Sequence, residues 1–132
     1  MRERRWGRII TSTTSGAIVP IRNLAISNTL RAALLGWSKT LAAEVAADGV
    51  TVNVIMPGRV ATDRLRQLDE ARAKRENITY DSVVSASLKT IPAGRYGDPK
   101  EYGDTAAFLA SQNASYITGS VIRVDGGQVP SI

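Results

Sequence analysis

Residues 7–58 read GRIITSTTSGAIVPIRNLAISNTLRAALLGWSKTLAAEVAADGVTVNVIMPG, and the remainder of the chain attaches to them. GRIITST, from Gly7 to Thr13, has the pattern of a first strand. VTVNVIM, from Val50 to Met56, is rich in β-branched side chains and bounded by Gly49 and by Pro57-Gly58, as a buried strand is. Between them Leu30, Leu34, Trp37, Leu41 and Val45 recur at spacings of three and four, which draws an apolar stripe along one face of a helix. Asn23 suits the N-cap of that helix, because its side-chain oxygen can accept an otherwise unpaired backbone N–H. Asp48-Gly49 supplies the left-handed residue that ends it. The unit is strand, helix, strand. A crossover of this length makes the strands parallel, and strand twist makes the connection right-handed.

With 132 residues, 43% of them hydrophobic and 22% charged, the chain has room for one small domain and enough apolar surface to fold it. Cysteine is absent, which excludes disulfides and thiolate metal sites. Histidine is absent too, which removes the commonest metal ligand and the usual acid–base group near neutral pH. No metal site is expected. The net charge of +5 would suit an anionic partner, but its distribution argues against nucleic acid. Arg2, Arg4, Arg5 and Arg8 crowd the N-terminus, and Arg64, Arg66, Arg72, Lys74 and Arg75 alternate with Asp and Glu in one polar segment, as on a solvated face. No apolar run reaches the ~18 residues that span a bilayer, and MRERRWGR lacks the apolar core of a signal peptide. The expectation is a cytoplasmic protein without nucleic-acid or membrane partners.

After the first strand, TTSGAIVPIRN gathers hydroxyls and Gly16 at the strand's C-terminal end, where open α/β sheets bind ligands; Ser12, Thr13, Thr14 and Ser15 are candidates, against a plain reading in which they satisfy loop backbone. Pro57-Gly58-Arg59-Val60-Ala61-Thr62 leaves the second strand at the same edge, and Gly58 would let backbone approach a ligand closely. Residues 63–89 read as a mobile surface excursion, helix-tolerant from Asp63 to Asn77 and helical again from Thr79 to Lys89. Asp98-Pro99-Lys100-Glu101 is an N-cap, a first-turn proline and an acid at the third position. It starts a helix that runs to about Gln112 and buries Ala106, Phe108 and Leu109. A last strand, SVIRVD, stops at Gly126-Gly127.

In order and spacing, GRIITSTTSG, GVTVNVIMPGRVAT, IPAGRYGDPKEYGDTAAFLAS and YITGSVIRVDGG resemble the C-terminal half of a short-chain dehydrogenase/reductase, in its 3-oxoacyl-carrier-protein reductase-like branch. The resemblance covers nearly the whole chain. It implies an α/β fold, the C-terminal half of a doubly wound parallel Rossmann sheet, with three strands and flanking helices. It also implies NAD or NADP as cofactor, hydride transfer to or from the carbon of a small-molecule carbonyl or alcohol, and a homo- or hetero-oligomer built through the long helix and last strand. Residues 63–89 would then lie on the substrate side.

In that family a serine polarises the carbonyl, a tyrosine exchanges the proton, and a lysine four residues later lowers the tyrosine pKa and holds the nicotinamide ribose. Counting back without gaps from RAALLGWSK, these positions fall on Thr14, Ser27 and Arg31, and the nicotinamide end of the cofactor falls on Arg31, Pro57, Gly58, Val60 and Thr62. Ser27 is a far weaker acid than a phenol of pKa ~10. Arg31 keeps positive charge and ribose- or phosphate-binding donors but does not relay a proton. None of the four tyrosines takes the Ser27 register. The family's glycine-rich turn and its active-site asparagine have no counterpart among these residues. The expected function is an oxidoreductase chain that is weak or inactive on its own. The alternative is a non-catalytic interaction module that pairs with an intact subunit of the family.

Overall fold

The computed structural model describes residues 1–131. Three parallel strands, β1 (Gly7–Ser12), β2 (Val50–Pro57) and β3 (Val121–Val124), lie in the order β1-β2-β3. Helix α1 (Ala25–Val45) joins the first two, and α2 (Asp63–Glu76), α3 (Tyr80–Leu88) and α4 (Pro99–Ala110) fill the second connection.

β2 is buried from Val50 to Met56, Thr51 and Asn53 included, because both its faces are covered. Val50 and Val52 pack with Ile9 against Ala42 and Val45 of α1. On the other face Ile55 packs with Ile10, Ile122 and Leu109 of α4. Both connections step the same way across the sheet with their helices on opposite faces, so the two crossovers have opposite hands and only one can follow the right-handed preference.

Helix ends follow local chemistry, with one correction. Gly49 (φ 72°) ends the 3-10 turn after α1 as expected, and a Cβ there would meet the Arg5 carbonyl. Arg5 donates to the Ala47 carbonyl (2.7 Å) and Arg2 pairs with Asp48 (3.0 Å), cations placed at the negative end of the helix. Asp98 and Glu101 form the capping box of α4. Asn23, however, does not cap α1. It takes a left-handed turn (φ 66°), and Leu24 occupies the cap position without a side-chain bond. The cause lies further on, where the Asn28 amide donates to the Ile21 carbonyl (2.9 Å) and accepts from the Ile21 N–H (3.3 Å), curling the loop.

The apolar stripe of α1 holds at its C-terminal end only. Val45 is buried with Ser38 and Ala42 and Leu41 packs beside them, whereas Leu30 is 64% and Trp37 52% exposed. Phe108 on α4 likewise faces out at 46%, one position off the inward row of Tyr102, Ala106 and Leu109. The segment 63–89 is two regular helices, where its pattern put them, and their inward faces bury Asp69, Ala73, Val83 and Ser87.

Candidate active site

Because β1 and β2 are parallel, the loops after them leave at one edge of the sheet. There the loop 58–62, the first residues after β1 and the start of α2 enclose a cleft of about 440 Å³. Thr14, Pro57, Gly58, Val60 and Thr62 all line it, together with Ser12, Thr13, Arg64 and Tyr102. A neighbouring cleft of about 530 Å³ shares Thr14, Gly58, Leu65 and Leu68 and is walled by Val19, Pro20, Ile21, Val129 and Pro130. The loop that Asn28 curls thus supplies one apolar wall, and α2 supplies another.

Ser27 and Arg31 stand apart. They line a groove at the start of α1 with Leu24, Ile26 and Leu30. One link joins that groove to the main cleft: the Arg31 guanidinium donates from Nη1 to the Ser12 carbonyl (2.9 Å). The Ser12 hydroxyl in turn shares a hydrogen bond with the Tyr102 hydroxyl (2.7 Å), brought in by α4. The structure therefore gathers five of the seven expected site residues in one cleft, ties Arg31 to its edge, and leaves Ser27 outside it.

Two of the lining residues have structural duties of their own. Thr62 caps α2, its Oγ1 accepting from the Leu65 N–H (3.3 Å). Gly58 is required by packing: a Cβ there would lie 2.7 Å from the Asp125 Cα, so the expected close approach is made by the chain itself. Behind the cleft, Asp69 of α2 is buried and accepts from Arg59 Nη1 (2.8 Å) and from the Tyr96 hydroxyl (2.8 Å). Burial, and then the bond to Asp69, push the Tyr96 phenol above its usual pKa. Arg64, Tyr102 and the Arg59–Asp69–Tyr96 network were not legible as site features from composition or motif. The one usable signal was spacing, since Leu65, Asp69 and Ala73 recur every four residues along an otherwise charged helix.

Cleft residues fit the nicotinamide end of a dinucleotide by the chemistry of the lining: apolar Pro57, Val60 and Leu65 suit a ring face, and Ser12, Thr14 and Thr62 offer hydroxyls to its polar edge. No group of His, Cys, Asp and Glu able to hold a metal ion occurs among the described residues.

Comparison with known proteins places the chain. A family model described as enoyl-(acyl carrier protein) reductase matches residues 1–128. The chain belongs to the short-chain dehydrogenase/reductase family. It is 37% identical over 132 residues to the NADPH-dependent reductase BacG of Bacillus subtilis (strain 168), covering 100% of this chain and 51% of that protein. It is 41% identical over 127 residues to the 3-oxoacyl-(acyl-carrier-protein) reductase FabG of Escherichia coli (strain K12), covering 96% of this chain and 48% of that protein. Among solved structures, YwfH, an NADPH-dependent reductase involved in bacilysin biosynthesis, superposes with a TM-score of 0.93 at 36% identity, over 99% of this chain and 50% of that one. The chain therefore spans about half the length of the curated relatives it matches. Its architecture is that of their Rossmann-type sheet. Among the described residues no helix is long and apolar enough to cross a membrane.

Proposed function

We propose that this chain forms the nicotinamide and substrate side of an NAD(P)-dependent reductase acting on a small-molecule carbonyl or alcohol carbon. One observation supports the reading above others: Thr14, Pro57, Gly58, Val60 and Thr62, distant in sequence, line one cleft at the C-terminal edge of a sheet of this family. When bound, a reduced nicotinamide supplies the hydride. Pro57, Gly58, Val60 and Thr62 would hold its ring end, and Arg31 a ribose or phosphate oxygen. Thr14 keeps the hydroxyl that donates to a carbonyl oxygen. Within residues 63–89, helix α2 forms the substrate-side wall through Leu65 and Leu68.

Proton supply is the weak step. Ser27 is an aliphatic alcohol in a separate groove, and general acid catalysis is typically worth about 10²–10⁴-fold, so turnover by this chain alone is slow or nil. Calorimetric titration of the folded protein with NADH and NADPH tests the reading. Micromolar binding supports it, and no binding by a folded protein overturns it.

A second reading has its own observation. Ile26 (80% exposed), Leu30 and Trp37 form an outward apolar face on α1, as a module that docks on a family subunit would carry. Co-elution with a full-length relative supports that role, and its absence removes it.

A further inference from the structure

The neighbouring cleft has a lining of largely one chemical kind. Val19 and Ile21 come to it from the loop before α1, Leu65 and Leu68 from α2, and Val129 and Pro130 from the stretch after β3. Exposed apolar side chains are ordinarily scattered singly over a surface. Here Val19 is 45%, Ile21 42% and Leu68 49% exposed, and the three converge from two segments on one cavity of about 530 Å³. Small-molecule sites have this size and this character, mostly apolar with a few placed polar groups. The wall is also set in advance, since the Asn28 amide holds the Ile21 backbone through both its N–H and its carbonyl.

Charge is nearly absent from the same lining. Among its described residues Arg59 is the one ionisable side chain, and its guanidinium is already compensated by the buried carboxylate of Asp69 (2.8 Å). A cation entering the cleft would meet no carboxylate, and an anion would meet a neutralised pair. The Thr90 hydroxyl is committed as well, donating to the Ser87 carbonyl (2.7 Å). Thr14, Ser15 and Gln128 remain as polar side chains, too few to replace the water around a polyol set against six apolar neighbours. Thr14 marks the end where the ligand's oxygen belongs. With Gly58, Leu65 and Leu68 it lines both clefts, and although it stands at the cap of the 3-10 turn Ser15–Ala17, its side chain makes no capping bond.

We infer that this second cleft takes the body of an uncharged, predominantly apolar ketone, or of the matching alcohol, with its oxygen at Thr14, and rejects polyols and substrates that carry a carboxylate. That this ligand is the substrate rests on the nicotinamide reading of the adjoining cleft.

The test titrates the folded protein, followed by protein NMR, with 2-octanone, 2-hexanone, 7-oxooctanoate and fructose, and separately with NADH and NADPH. The same ketones are titrated into Leu68→Arg, and into Ile26→Arg as a control at an exposed apolar position of α1 outside this cleft. Expected is binding of 2-octanone that weakens about 2–4-fold for each methylene removed in going to 2-hexanone, the effect of a methylene taken out of water. 7-Oxooctanoate, of equal length with a carboxylate at its far end, binds about 10-fold more weakly than 2-octanone, and fructose gives no shift. Leu68→Arg reverses the order of 2-octanone and 7-oxooctanoate, in a salt-dependent way, while Ile26→Arg keeps it. Equal or tighter binding of 7-oxooctanoate or fructose by wild type, or no binding of any ketone, overturns the inference, and the nicotinamide reading stands if NADH or NADPH binds. An order unchanged in Leu68→Arg, or lost in Ile26→Arg, places the ketone elsewhere and overturns the inference too. The expected order without binding of either nucleotide keeps the apolar ligand class and overturns the nicotinamide reading.

Discussion

Replacing Asp69 by alanine is the sharpest probe of what holds the cleft together. Asp69 is 2% exposed, and its two oxygens accept from Arg59 Nη1 and the Tyr96 hydroxyl, each at 2.8 Å. Those partners belong to different segments. Arg59 follows β2, Tyr96 precedes α4, and the two stretches are joined through Gly97, whose N–H donates to the Arg59 carbonyl (2.9 Å) and whose carbonyl accepts from Ala61 (2.8 Å). One carboxylate thus ties α2 to both. Deleting one partner of a buried ion pair costs about 3–5 kcal/mol when the other is left fully buried. The Arg59 side chain is 27% exposed and can reach water, so about 2–3 kcal/mol is appropriate for the pair. The orphaned Tyr96 hydroxyl adds ~1 kcal/mol. With 132 residues and an unfolding entropy of ~2.1 cal/mol/K per residue, a total of ~3–4 kcal/mol lowers Tm by ~11–14 °C. Urea and thermal melts followed by circular dichroism measure this. Asp69→Asn, which keeps the shape and an acceptor for Tyr96, should lose about half as much. A loss below ~1 kcal/mol in Asp69→Ala would refute the reasoning, because the carboxylate would then not be the tie between the three segments.

Three further outcomes are expected. The Glu101 carboxyl is held down to about 2, first by the Arg95 guanidinium and then by the Asp98 N–H. Its folded value lies below its ordinary 4.5, so its contribution is complete above that value and is lost as pH falls through about 2; acid unfolding of Glu101→Gln should show a flatter slope across that window. Gly58→Ala forces a Cβ to 2.7 Å from Asp125 backbone, and the resulting shift should cost ~1–3 kcal/mol in a denaturant melt and weaken any ligand of the adjoining clefts. Leu30→Lys changes a side chain 64% exposed, so stability should hold within ~0.5 kcal/mol while self-association or docking, read by size exclusion, falls.

Some of this architecture was legible in the chain because the signal and its cause are local. VTVNVIM reads as a doubly buried strand since α1 covers Val50 and Val52 while α4 covers Ile55. DPKE reads as a helix start because Asp98 and Glu101 satisfy each other's backbone within four residues. Other features depend on contacts that spacing cannot supply. The residues Leu30, Trp37 and Phe108 have helical periodicity, but periodicity does not fix how much of a row meets the sheet; on α1 Leu41 and Val45 reach it, beside Ser38 and Ala42, and Leu30 and Trp37 do not. Asn23 was a sound cap by type and was displaced by the Asn28 amide five residues away. The edge that carries the cleft followed from parallel pairing. The separation of Ser27 from Thr14 did not, because gapless counting gives a register along the chain and no direction in space.

That separation shapes what the proposed site can do. Ser12 is held from both faces of the sheet, its carbonyl by Arg31 of α1 and its hydroxyl by Tyr102 of α4. Arg31 is therefore fixed at the cleft edge with one N–H used, and a guanidinium has four more N–H donors in a fixed fork. A lysine ammonium would concentrate its charge at one point and could yield a proton; the guanidinium does not. On the proposed reading Arg31 thus supplies orientation and fixed positive charge, and any proton must come from a hydroxyl within the cleft or from water. The hydroxyl-bearing residues that line the cleft are Ser12, Thr13, Thr14, Thr62 and Tyr102, and Tyr102 alone among them is a phenol. If turnover is found, its loss in Tyr102→Phe with cofactor affinity retained would assign the proton to α4. Unchanged turnover in that variant would leave water or an aliphatic alcohol, and a rate correspondingly low.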